Sequence, residues 1–555
     1  MRKKPYTIVS VFEMLLIIGF ALFAFRDLPF TFYQQDEWVS LGLAKIGGIE
    51  VELSVFPLHL LLVGLNRPFS TVLKYSLFHM FGTNVLPWAV FALFVHSING
   101  LLVRKIARLL GIPHIFATVA GLSYAVCYAS HQSVSWLATS FTALPSLFFM
   151  LLSIVLALKK KRIWCIVCAV ISYYFKESSI AWMPLLPIFT APKRDLGGLK
   201  DEFIRYTSLF IFIVFIIIVR IADIFIHGWK SQLAVTESSG TPMIGILINA
   251  FLYPLISFSE TFIPLPVMRF ISTIVFSSRY ERLIHIENIH VVQELMMTDI
   301  VGLWCTLLLF IGMSIVLFFG KKYRFAILIS FLLLVVSFIP FSLVNRNGEY
   351  LDSRYFSFAA AAGGLLISGL IASIVELSHK NKNLRLLVIV CISLFTVGYL
   401  YKQSVYIIRD IRHQKIIGEE RKNMLQSVRV IYPDLPEKPV LYATGSAESF
   451  YGVSGMRLPL QQGPGFTFMV LFYDTGKIPK KLIYDMSFWG MLEQGYFEDG
   501  GQGFGYYHSL DLLKKDSCNN KFNSDQIRGF YYDSTDHKVI DITNDVVLRI
   551  RNCMK

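Results

Sequence analysis

About eleven apolar runs, separated by short basic loops, limit what this chain can fold into more than any motif does. They lie near 8–25, 85–103, 114–130, 136–158, 163–175, 178–191, 206–226, 300–319, 325–344, 355–376 and 384–401. Most approach the length of about 20 residues that a helix needs to cross a hydrocarbon core about 30 Å thick. The shorter runs 163–175 and 178–191 bracket Lys176 and Glu177, and read as a helical hairpin with those charges at its tip. Hydrophobic residues are 54% of the 555 and charged residues 16%, so bilayer is the solvent for most of the chain. The fold class expected is an all-α polytopic membrane protein carrying a small C-terminal soluble domain.

Met1–Lys4 followed by an apolar stretch resembles a signal peptide, but no small-residue cleavage site precedes Arg26 and Asp27, so a retained first helix with a cytoplasmic N-terminus is expected. The cytoplasmic loops then become 104–111, 159–162, 193–205, 320–324 and 379–385. All are basic, as positive-inside sorting requires, and one miscounted helix would put Lys159-Lys160-Lys161-Arg162 or Lys321-Lys322 outside. The same sorting accounts for the net charge of +14 without a nucleic-acid partner, for which no aromatic-interleaved basic face is present. The apolar stretch Met243–Pro266, broken by Pro254, Pro264 and Pro266, is read as interfacial or partly inserted, because a further span there would reverse everything after it.

This topology assigns loops 26–84 and 227–299, the turn 345–353 and everything from 402 onward to the outer face. The expected domains are a membrane domain over 1–401, a connecting segment over 402–424 and an extracytoplasmic α/β or mostly β domain over 425–555. Strand-like pieces there are 440–443, 466–472 and 546–550, with a hairpin around 531–541. Cys127, Cys165, Cys168, Cys305 and Cys391 fall within apolar runs and read as small packing residues; the Cys165–Cys168 pair lacks the second pair that zinc or redox chemistry would need. Cys518 and Cys553 lie in the outer region, where a disulfide persists, but spacing alone does not show that they meet.

Three clusters stand out on the predicted outer face. Asp36 and Glu37 follow the first helix closely, and adjacent carboxylates at the mouth of a helical bundle take a proton from a hydroxyl or hold a divalent cation; the alternative is an ordinary acidic loop. Lys176 and Glu177 place charge beside hydrocarbon, costly unless paired or facing a wet cavity; the alternative is an ion pair marking the membrane boundary. Asp352, Ser353, Arg354 and Tyr355 open a helix rich in small residues, where free N–H groups and a guanidinium suit a phosphate; the alternative is a snorkelling arginine. Asn66, Arg67, His131, His227, Glu260, His285 and His290 are weaker candidates, and the histidine spacing 285/290 is not that of a helical metal pair.

Several stretches in order resemble the polytopic C-type (GT-C) glycosyltransferases, among them bacterial relatives of the tetratricopeptide-linked transmembrane O-mannosyltransferases. They are Gln35-Asp36-Glu37-Trp38, Asn66-Arg67-Pro68-Phe69, Leu77–Asn84, His96–Leu102, His131-Gln132-Ser133-Val134-Ser135-Trp136, Phe175-Lys176-Glu177-Ser178-Ser179 and Ser353-Arg354-Tyr355-Phe356, spanning roughly 30–375. The resemblance implies transfer of one sugar from a polyprenyl-phosphate carrier to a hydroxyl acceptor with inversion. In it, Asp36 takes the acceptor proton or binds a divalent metal, the one cofactor implied, while Lys176 and Arg354, with Tyr355, meet the departing phosphate. Gln132 stands where that motif usually carries an acid, and Ser140 where a basic residue usually follows. Tetratricopeptide repeats are absent.

The competing classes are a flippase or transporter of lipid-linked intermediates, an oligosaccharide polymerase or ligase, and an assembly subunit without chemistry. A transporter predicts mid-helix ionisable residues and related halves, which the sequence does not show. The partners expected are the bilayer, a polyprenyl-phosphate sugar and a glycan, lipid or protein acceptor. The absence of any Asn-x-Ser/Thr sequon favours a bacterial plasma membrane.

Overall fold

The structure, a computed structural model, describes residues 5–550 except 35, 43, 46–66, 192–195, 228–242, 281–286, 344–352, 447–463 and 485–493. Two compact units emerge: Met1–Arg26, Leu58–Ser70 and Val90–Arg409 form the first, and Asp27–Pro57, Thr71–Ala89 and Asp410–Lys555 the second.

Apolar helices build the first unit. Among the described residues of the whole chain, seven helices are long and apolar enough to cross a membrane, or up to nine if two bent pairs each count as one span. The expected eleven is not met by unbroken helices. The run at 114–130 is helical only over His114–Ala125 before passing through Val126 into a 3-10 turn. The hairpin consists of Arg162–Phe175 followed by short helical pieces from Glu177 to Thr190. Prolines at 184 and 187 lack the N–H that a continuous helix would need there. Pro264 likewise separates Met243–Glu260 from Leu265–Val275, two helices bent by 96°.

Burial distinguishes the central helix from the peripheral ones. In Ser357–Leu377, 83% of the apolar window is buried, against 6% in Lys382–Ile431, whose large apolar side chains are left for lipid. Glycine permits the central contacts. A Cβ at Gly364 would lie 2.6 Å from the Ala120 carbonyl oxygen, and one at Gly121 would lie 2.8 Å from that of Gly100. Close backbone approach of this kind is how helices associate where lipid removes the hydrophobic drive.

Ion pairs join segments assigned to the same face. Arg162 Nη2 and Arg205 Nη1 lie 2.6 and 2.9 Å from Glu202 Oε1, linking two of the predicted cytoplasmic loops. Lys322 pairs with Glu376 at 3.2 Å beside two others, and Arg104 pairs with Glu13 of the first helix.

In the second unit, a five-stranded sheet of order β2-β3-β1-β4-β5 comprises β1 (Val440–Gly445), β2 (Gly495–Asp499), β3 (Gln502–Tyr507), β4 (Ile527–Asp533) and β5 (Lys538–Asp541). β1 is parallel to both neighbours, with Val440 opposite Gly505 and Ile527, and is buried through Ala443. The expected strand at 440–443 and the hairpin near 531–541 are present, the latter as antiparallel β4 and β5. Two other expected strands are helices. Pro464–Phe472 begins with proline, which suits the first helical position, and a short apolar run does not by itself distinguish helix from strand. Thr543–Ile550 buries Val546 and Ile550, four residues apart, and exposes Leu548, a helical and not an alternating pattern. The β2–β3 hairpin went unread although Asp499-Gly500-Gly501 signals it: both glycines have positive φ, +58° and +80°, as a type I′ turn demands.

The helix covering the expected span 384–401 continues through the 402–424 stretch to Ile431, 50 residues in all. Five cysteines in apolar runs are free, Cys518 is disulfide-bonded, and Cys553 lies outside the described residues.

The glycine contacts make a direct prediction. Gly364→Leu should lower the thermal unfolding midpoint in detergent and cost about 2 kcal/mol or more, since overpacking typically costs 1–3; an unchanged midpoint would mean that the helices do not approach this closely.

Candidate functional site

The chain breaks its helix at Lys176. After Arg162–Phe175 the backbone of Lys176 turns extended, with φ −157° and ψ 123°, and enters the 3-10 segment Glu177–Ala181. Trp182 fastens the turn by donating its indole N–H to the Leu333 carbonyl at 3.1 Å and the Ser337 hydroxyl at 2.9 Å. The break buries the Lys176 side chain to 5% exposure. Among the described residues its ammonium has neither a hydrogen-bond acceptor nor a carboxylate in ion-pair reach; its neighbour is the Tyr355 ring, 5.5 Å from Nζ to the centroid.

Arg354 completes a cationic cluster. Its guanidinium carbon lies 4.6 Å from the Trp136 ring and 5.2 Å from that of Tyr355, so Tyr355 offers its ring to both cations. Phe341, 4.7 Å from the Tyr355 ring, packs beside it. A third cation is already partnered: Arg67 grips Glu177 with two bonds, Nε to Oε2 at 2.9 Å and Nη2 to Oε1 at 2.7 Å. Segments far apart in sequence, all assigned to the outer face, thus meet within one unit.

Burial pushes the Lys176 ammonium down, and the Arg67 and Arg354 guanidinium groups add to this while Glu177 opposes it. Burial acts against the Glu177 carboxylate as well, yet the charge and hydrogen bonds of Arg67 outweigh it and hold Glu177 below the usual carboxylate range.

Polar groups without protein partners surround the cluster. Gln132 Oε1, Ser135 Oγ, Trp136 Nε1, Ser178 Oγ and Ser179 Oγ are buried without a hydrogen-bond partner among the described residues. Such atoms are costly unless water or a ligand meets them. His131 is buried and occupied: its ring stacks on Tyr128 at 4.8 Å, and Nδ1 donates to the Tyr128 carbonyl at 2.8 Å. Gln403 supports this wall by accepting from the Tyr128 N–H at 2.8 Å and donating to the Phe262 carbonyl at 3.0 Å.

Asp36 and Glu37 belong to the second unit and the three cations to the first. Asp36 opens the helix Asp36–Gly42, and its side chain lies outside what the structure describes. Glu37 is buried and accepts the Gln34 N–H at 2.7 Å while returning its own N–H to the Gln34 carbonyl at 2.9 Å, a reciprocal cap on that helix. Tyr33 and Trp38 pack edge-on at 6.0 Å, with Trp88 6.1 Å from Tyr33. Lys45 reaches the Asp474 carboxylate at 2.7 Å and the Val470 carbonyl at 3.1 Å, so the first outer loop is built into the same unit as the C-terminal sheet. That contact requires loop and tail to share a membrane face, as the expected topology has it.

For a divalent cation, the described residues gather no group of three His, Cys, Asp or Glu side chains. Asn66, Asp352 and His285 lie outside the described residues, and the side chains of His227 and His290 are not described; Glu260 is buried. Sequence reading singled out Lys176, Arg354 and Tyr355 but missed Trp136 as a platform for Arg354, and Gln403. A tryptophan closing a motif was the one available signal for the first; nothing local marks a single glutamine within a lipid-length helix.

Fold and cluster together define a multi-pass helical membrane protein with a small C-terminal α/β domain and a buried lysine that shares an aromatic ring with an arginine. No protein-family model matches the chain, and no curated protein matches it significantly. It is similar to the crystal structure of ArnT from Cupriavidus metallidurans bound to undecaprenyl phosphate, with 14% identity and a TM-score of 0.37 over 94% of this chain and 93% of that one. A likeness this distant carries no argument about the chemistry.

An isolated buried ammonium destabilises the protein that holds it. Lys176→Met should therefore raise the unfolding midpoint of the ligand-free protein by about 2 °C or more, read by intrinsic fluorescence in detergent; a lower midpoint would show that the ammonium is already satisfied.

Proposed function

We propose that the chain is a glycosyltransferase that moves a sugar from a polyprenyl-phosphate-linked donor to a hydroxyl acceptor at the outer membrane face, with inversion. The observation that carries this reading is the buried, uncompensated Lys176 ammonium with Arg354 beside the same aromatic ring. A buried ammonium is expensive without an anion, and a lipid phosphate at the membrane surface supplies one.

In the reaction proposed, the acceptor oxygen attacks the anomeric carbon from the face opposite the phosphate. The bond from that carbon to the phosphate oxygen breaks, and its electron pair leaves with the polyprenyl phosphate, which becomes a dianion. Lys176 and Arg354 are assigned to that growing charge, Tyr355 to holding them side by side, and the unpartnered Gln132, Ser178 and Ser179 to polar groups of the donor. Asp36 is assigned the acceptor proton or a divalent cation that polarises the hydroxyl, and Glu37, engaged by the Gln34 N–H, is left to cap its helix. The C-terminal domain, joined to the first outer loop through Lys45 and Asp474, is assigned to the acceptor.

Transfer from a radiolabelled polyprenyl-phosphate sugar should be lost in Asp36→Asn while the unfolding midpoint is kept, and full activity in that variant would remove the assignment. Loss of transfer on chelation, restored by Mg²⁺ or Mn²⁺, separates the metal role from the proton role. A depressed Lys176 also fixes a pH dependence. The free site loses its proton at lower pH than an ordinary lysine does, whereas bound phosphate favours the charged form, so affinity falls as pH rises from neutrality. Above about pH 7.5 an isoprenyl monophosphate is already dianionic, so binding measured from there to about pH 9.5 reports on the protein. Affinity should fall in the wild type and stay level in Lys176→Arg; equal slopes would place the titrating group elsewhere.

A further inference from the structure

Arg67 is the one cation of the cluster that the reaction above leaves without a part. Its backbone is also strained: φ is +48°, the left-handed region, directly before Pro68, where helical conformations of either hand are disfavoured. A bulky residue stays in such a conformation only where its surroundings hold it, and here the hold is the two-bond grip on Glu177. Glu177 immediately follows Lys176, so its carboxylate is attached next to the ammonium that the donor phosphate needs. The Glu177 charge already acts on Lys176 through space, and without Arg67 it would act undiminished.

We infer that Arg67 is a positioning residue that claims Glu177 as its own counterion and thereby keeps Lys176 free for the phosphate. The inference rests on the reading of Lys176 as a phosphate-binding group. With Arg67 and Glu177 cancelling, the Lys176 ammonium keeps its positive charge for the departing phosphate. Loss of Arg67 alone releases Glu177 onto Lys176 and offsets the positive charge that the phosphate needs there. Loss of Glu177 alone adds positive charge, and loss of both restores the original balance. An ion pair that merely braced the fold would instead make either single loss harmful and the double loss no better.

The test is binding of geranylgeranyl phosphate to the full-length protein in nanodiscs by calorimetry, with the unfolding midpoint of each variant recorded. Arg67→Gln should weaken binding about tenfold or more, Glu177→Gln should bind at least as tightly as the wild type, and the double variant should return to within about threefold of it. Equal weakening by both single variants, or a double variant no tighter than Arg67→Gln, overturns the inference. Should Arg67→Gln not fold, Glu177→Gln and the double variant decide it, since both must then bind like the wild type or tighter. Wild-type affinity in Lys176→Gln would sink the phosphate reading itself, whatever the Arg67 variants do.

Discussion

Charge beside hydrocarbon has to be compensated, and the rest of this structure is arranged around that constraint. Glu202 is met by Arg162 and Arg205, Glu13 by Arg104, Glu376 by Lys322 and Glu177 by Arg67. Lys176 is the exception: it is buried and has an aromatic ring in place of a carboxylate. An ion pair is structural when it closes on itself. A buried cation left open stores a demand for an anion, and that demand is what converts a helix break into a candidate binding site.

Holding such a group requires a rigid frame. The backbone contacts through Gly100, Gly121 and Gly364 lock the central helices without hydrophobic assistance from water. The break at Lys176 is fastened by Trp182, and Gln403 ties Tyr128 to Phe262. A different kind of frame holds the first outer loop. Aromatic packing of Tyr33, Trp38 and Trp88 and the Lys45–Asp474 pair build it into the unit that contains the sheet.

Legibility followed the length of the pattern involved. Long apolar runs and their basic loops were readable because each span is set by bilayer thickness and each loop by charge sorting. The interruption at Lys176 and the proline breaks in Met243–Pro266 were legible too, whereas the helix end at Ala125 and the short helical pieces after Glu177 were not, because the apolar run continues through them. In the soluble domain β1 was readable as a continuous apolar strand, buried by parallel neighbours on both sides, whereas Pro464–Phe472 and Thr543–Ile550 were mistaken for strands. Their apolar and β-branched content suits a strand, and the helical geometry became visible only with the faces they bury.

By itself the sequence determined the solvent, the existence of a separate C-terminal domain and the chemical types available to a site, because hydrophobic length and residue chemistry are local properties. Tertiary structure alone decided which charges cancel. Arg67 closes on Glu177 while Lys176, its chain neighbour, is left facing an aromatic ring, and nothing in their order along the chain says which cation takes the glutamate. Electrostatic compensation depends on distance in space at low dielectric, and only the folded helices fix that distance.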